Sequence, residues 1–181
     1  KTFASSDDTV TVQTIYRADL KAHVSVDEQE QIRHIRHSDD YWASEHTSPL
    51  ATAAAYLDAM ADTLRIDKAE LRSLDKRVAF LDPLDQGTEY QLSEEKPLFE
   101  STVIGYAQTH LNVPVWRRGL TVQIKLNPTR VVGMTNNSEG ELRAKLPPAA
   151  SIERYRAIFR QTLARKAAVA AGLDEDEAGG V

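Results

Sequence analysis

His34 and His37 stand three residues apart, with Asp39, Asp40, Glu45 and His46 close by in the chain. On a helix that spacing puts both imidazoles on one face, an arrangement compatible with zinc or copper. The competing reading is a polar, solvated connector. It is the favoured one, because the stretch from Asp27 to Asp40 is strongly polar, with only Ile32 and Ile35 spaced for a helix face. The zinc-protease pattern H-E-x-x-H is missing, which argues against a self-contained peptidase. No G-x-S-x-G elbow marks a serine nucleophile. Gly87, Gly105, Gly119, Gly133 and Gly140 never gather into a phosphate-cradling loop. Glu94-Glu95 and Asp39-Asp40 are adjacent pairs, and neighbours on an extended chain point to opposite faces, which spoils acid-base work. The chain has no cysteine, so disulfides, thiol nucleophiles and Cys-ligated zinc are excluded. The expectation is a non-catalytic protein without a cofactor.

The more informative cluster is Trp116-Arg117-Arg118. Exposed, these residues would make a partner contact, because Trp and Arg dominate interface hot spots. The alternative, preferred from sequence alone, packs Trp116 in the core while the arginines flank a turn. Net charge separates the partner classes: 22 basic against 27 acidic residues leave a formal charge of -5, unsuited to broad phosphate binding. No apolar run approaches the roughly 20 residues that a membrane span requires. The chain opens on Lys1 without an initiator Met or a signal peptide, as expected for a processed product or an excised segment.

The elements that must position these residues are legible in outline. Val10, Val12, Leu20, Ala22, Val24 and Val26 alternate with polar neighbours, predicting two short strands with a bend near Arg17-Ala18-Asp19. Asp27 to Asp40 reads as a weak helix or a loop. Ser48 can cap a helix that Pro49 opens, and Leu50, Ala53, Ala54, Leu57, Met60, Ala61 and Leu64 then form one buried stripe. A second helix is expected from Asp67, with Glu70 completing its start and Leu71 and Leu74 its apolar face. Strands follow: Val78 to Leu81, Tyr90 and Leu92, Thr102 to Leu111, Val113 to Trp116, Leu120 to Leu126, and Val131 to Met134. Asn136 to Gly140 reads as a hairpin tip. After Pro147-Pro148, Ser151 is expected to cap a long helix. Ile152, Tyr155, Ile158, Phe159 and Leu163 share one of its faces, and Arg154, Arg156, Arg160, Arg165 and Lys166 the other. An acidic tail ends the chain. Helices grouped ahead of an antiparallel meander predict an α+β fold with the Pro49 helix laid across the sheet, as in cystatin-like proteins.

The run from Tyr106 to Gly133 contains Gln108, then Asn112-Val113-Pro114-Val115-Trp116, then the alternating Gly119 to Leu126. It resembles the core of the fungalysin/thermolysin-type propeptide (FTP) domain, in which a glutamine-bearing strand meets a tight turn and a Pro-Val pair. Ser48-Pro49-Leu50 and Tyr56-Leu57 match the helix upstream in that family. The resemblance spans about residues 47–143. It implies an extension at 1–46, an FTP-like domain at 47–146, and a helix and acidic tail at 147–181. The family usually places Gly where this chain has Asn112, the next most tolerant residue at positive φ. The resemblance implies an exported folding chaperone and inhibitor of a metalloprotease or other hydrolase, whose partner is a protein. Alternatives are an interaction or structural domain of an exported multidomain protein, or a small metal enzyme using His34 and His37. The motif residues Gln108, Asn112, Pro114, Val115, Trp116, Arg117 and Arg118 are the candidate binding site, with no nucleic-acid partner.

Overall fold

A computed structural model describes residues 13–38, 40–78, 87–140 and 149–170. Among these residues, eight strands form one antiparallel sheet: β1 (Gln13–Arg17), β2 (Ala22–Val26), β3 (Ile32–His37), β4 (Trp42–Ala43), β5 (Thr88–Pro97), β6 (Ser101–His110), β7 (Val113–Lys125) and β8 (Arg130–Asn136). Their order is β1-β2-β3-β8-β7-β6-β5, with β4 paired to β8 beyond the end of β3. Helix α1 (Pro49–Leu64) packs on β6, β7 and β8. The fold is therefore α+β, a helix on an antiparallel sheet. A further helix, α2, covers Ala149–Ala170.

Helix α1 begins and ends where its sequence dictates. The Ser48 hydroxyl accepts from the Ala51 amide and Pro49 occupies the first turn. Arg65 turns left-handed at φ 57°, and the Ile66 amide donates back to the Ala61 carbonyl at 2.9 Å, a Schellman closure. Ala53, Leu57, Met60, Ala61 and Leu64 are buried as the stripe requires. Tyr56, also on that stripe, is fully buried and meets His37 and Trp42 edge-to-face at 5.7 and 5.4 Å.

Two expectations need correction. The polar stretch ending at Asp40 contains a strand, β3, and not a helix. Its alternation is hidden because His37, polar by composition, occupies a core position at 4% exposure. The helix expected from Asp67 shrinks to a single 3-10 turn, Lys68–Leu71, capped by the Asp67 carboxylate on the Ala69 amide. Leu71 and Leu74 still join the buried core, so packing is achieved without a full helix. The sequence leaves open whether the N-terminal strands join the main sheet, and they do. β3 pairs with β8 through His34–Thr135 to Arg36–Gly133, and Ala22, Val24, Ile32 and Ile35 share the core with α1.

The bend near Arg17 to Asp19 falls between β1 and β2 as read. Val10, Val12, Phe80, Leu81 and Pro147-Pro148 lie outside the described residues. Ser151 lies inside α2, which starts at Ala149, so Ser151 is not its cap. Tyr155, Ile158 and Phe159 on α2 are 68%, 49% and 45% exposed. Among the described residues, no helix is long and apolar enough to cross a membrane.

Candidate functional site: a tryptophan bulge on the β6–β7 hairpin

The β6–β7 hairpin turns through Leu111 and Asn112, both left-handed at φ 52° and 60°, between the paired residues His110 and Val113. Two central residues at positive φ make the tight hairpin turn whose twist suits antiparallel strands. Asn112 thus occupies the positive-φ position that its type allows. The Gln91 side-chain amide donates to Asn112 Oδ1 at 2.8 Å and ties the turn to β5. Pro114 and Val115 follow, half-buried, with Pro114 paired to Thr109.

Pairing then breaks. Thr109 faces Pro114, but Ala107 faces Gly119, so Val115, Trp116, Arg117 and Arg118 lie opposite Gln108 alone. The surplus residues loop outward as a bulge. Arg117 takes φ 56° at its crest, and Trp116 emerges 83% exposed with the Arg117 guanidinium 5.7 Å from its ring centre. The preferred sequence reading, with Trp116 in the core, is overturned. Period-2 counting carried through the bulge assigns Trp116 to the wrong side, because extra residues reset the alternation.

The base of the bulge is locked. Gly119 returns the chain to the ladder at φ 154°, where an added Cβ would come 1.9 Å from the Tyr106 carbonyl oxygen. Gln108, 2% exposed, turns its amide against the backbone of Glu139. Its Nε2 donates to the Glu139 carbonyl and its Oε1 accepts from the Glu139 amide, both at 2.9 Å. The side chain thereby supplies the pairing that the bulge took from the strand. The Asn137 amide donates to the Gly119 carbonyl at 2.9 Å, and Arg118 reaches the Glu139 carboxylate at 3.5 Å. That ion pair is exposed and contributes little beside the buried bonds.

The segment leaving β8 is held from its other side by residues outside the Gln108 to Arg118 motif. Asn136 Oδ1 accepts from the Ser138 amide at 2.9 Å and from the Ser138 hydroxyl. Arg33 donates to the Ser138 carbonyl at 2.9 Å and to the Asp27 carboxylate at 2.7 Å. Buried Asp27 also accepts from the amides of Gln29 and Gln31. Burial pushes its carboxyl up, but those amides and Arg33 outweigh it and hold the acid below its ordinary range. An aspartate two residues ahead of the amide it caps is an Asx-turn signal that was readable in the sequence. The long-range reach of Arg33 was not. Asn136 to Gly140 therefore leaves β8 through an Asx turn, and residues 141–148 beyond it lie outside the described residues.

His34 and His37 do not come together. They sit three apart on a strand, so their side chains point to opposite faces. His37 is buried and hydrogen-bonds Tyr56 at 3.0 Å, and burial lowers its pKa. His34 is exposed and meets Thr135 at 3.2 Å. Among the described residues no group of three or more His, Asp or Glu is placed to hold a metal ion. The chemistry this surface offers is recognition: an aromatic ring and two guanidinium groups raised on a rigid support. Comparison with known protein families, curated proteins and solved structures finds no match to this chain.

Proposed function

We propose that this chain is a non-catalytic, protein-binding domain of an exported protein, acting as a folding helper and inhibitor of a hydrolase of the metalloprotease type. The observation that carries the reading is Trp116 with Arg117, exposed at the crest of a bulge whose base is pinned by Gln108 and Gly119. A ring held out at 83% exposure forgoes burial worth about 2 kcal/mol, a loss that docking on a partner would recover. Because the support is already ordered, docking would spend little further conformational entropy. The resemblance of the Gln108 to Trp116 motif to the FTP propeptide core supplies the class of partner.

The test is to read the gene onward past codon 181 and to refold any hydrolase domain found there with and without residues 1–181. Faster recovery of folded enzyme, followed by suppression of its activity until the domain is cleaved away, is the expected result. Equal recovery and equal activity with and without the domain would refute the chaperone-inhibitor reading. A gene encoding no hydrolase would favour the alternative, a docking module in an exported assembly, for which the same bulge is the contact surface.

A further inference from the structure

The sheet face turned away from α1 carries two neighbouring concavities of about 600 Å³ and 590 Å³, which share His34, Arg36 and Ser38. One reaches across β8 to Thr121 and Gln123 on β7, and the other across β2 to Thr14 on β1. Gly133 leaves the floor of the first without a side chain. A Cβ there would come 2.8 Å from the Ile35 carbonyl oxygen, so close approach of β3 and β8 keeps the position open.

The lining mixes apolar Val103, Val132 and Met134 with polar groups, and its formal charge has one sign. Among the described residues, Arg36, His23 and His34 line this furrow with hydroxyls and an amide, and no carboxylate does. In a chain whose acids outnumber its bases 27 to 22, that is a local reversal of sign. Arg36 is exposed and forms no ion pair among the described residues, unlike its strand neighbour Arg33, which is held by Asp27. An exposed guanidinium with hydroxyl groups along the same furrow suits a carboxylate, which takes paired N–H donors and further O–H donors.

We infer that this furrow binds an extended, carboxylate-bearing peptide segment of a partner protein, laid across β1, β2, β3, β8 and β7 with a carboxylate on Arg36. Length argues for a peptide over a small anion. Four strand spacings amount to about 19 Å, the reach of roughly six extended residues. The inference is independent of the propeptide reading, since it uses the opposite side of the hairpin strand from the core and none of the bulge residues.

The experiment measures fluorescence anisotropy of a labelled hexapeptide of alternating glutamate and serine titrated with the full chain. Saturable binding is expected, weakened by salt. About a tenfold loss is expected in Arg36→Gln at an unchanged melting temperature, with no binding of the same peptide carrying glutamine for glutamate. Should Arg36→Gln alter the melt, His34→Gln and Thr121→Val carry the same expectation from the neighbouring strands. Absence of saturable binding, equal affinity in all variants, or equal binding of the glutamine peptide overturns the proposal. Complete displacement by inorganic phosphate at matching concentration also overturns it, by reducing the furrow to a small-anion site.

Discussion

The two faces of the sheet treat the same strand in opposite ways. On the covered face of β3, Ile35 and His37 press against α1, and His37 gives up solvation for one hydrogen bond to Tyr56. On the open face, one residue away along the chain, His34 and Arg36 stay in water. Histidines three apart, which on a helix would converge, are separated by a full sheet thickness. Burial energy therefore concentrates on one face, and recognition chemistry is left to the other. The difference teaches that polar residues in this strand are no guide to its surroundings until its period is known.

Substitutions on the two faces should differ in cost. The largest effect belongs to the covered face. Tyr56→Ala removes a fully buried ring that meets both His37 and Trp42, and should cost about 3–5 kcal/mol in urea unfolding. A loss under about 1 kcal/mol would mean that α1 does not depend on this contact.

Gln108→Ala comes next, at about 1–3 kcal/mol, because it strands the amide and carbonyl of Glu139. It should also release the bulge. Trp116 fluorescence anisotropy would then fall relative to the parent, whereas unchanged anisotropy would show that Gly119 alone fixes the crest.

His37 makes the covered face sensitive to pH. Burial lowers its pKa from the ordinary value of 6.5, so the unfolded chain takes up a proton before the folded one does. Stability is fully present above 6.5 and falls as pH drops from there toward the folded pKa. Asp27 acts lower down: its depressed carboxyl contributes stability above 3.8 that is lost as pH falls further. Thermal melts from about pH 7.5 to about pH 5 should thus show a decline that His37→Gln reduces. An identical decline in both proteins would assign it to another group.

Asn112→Val tests the hairpin turn, which belongs to neither face. A β-branched residue at φ 60° should cost about 1 kcal/mol or more. An unchanged melting temperature would show that the turn readjusts. The smallest effect is expected on the open face, where Arg36→Gln should stay within about 0.5 kcal/mol while still weakening the proposed peptide binding about tenfold. A larger loss would mean that the open face is structural after all.

The features legible in the sequence are local. Helix α1, with Ser48, Pro49 and its stripe, followed from capping chemistry and a 3.6-residue period, both of which act within a few residues. The alternation in β7 from Leu120 to Ile124 and the tolerance of Asn112 for positive φ were legible for the same reason. The class, a helix on an antiparallel sheet, followed from the order of those elements. Tertiary structure alone decided the rest. It made His37 a core residue, because Tyr56, 19 positions away, supplies its partner. It joined residues 13–46 to the sheet through β3 and β8, a pairing about a hundred residues apart. It put Trp116 outside, because four residues on one strand face a single Gln108 on the other. Strand pairing and bulges are relations between distant segments, and a local hydrophobic pattern carries no information about its partner.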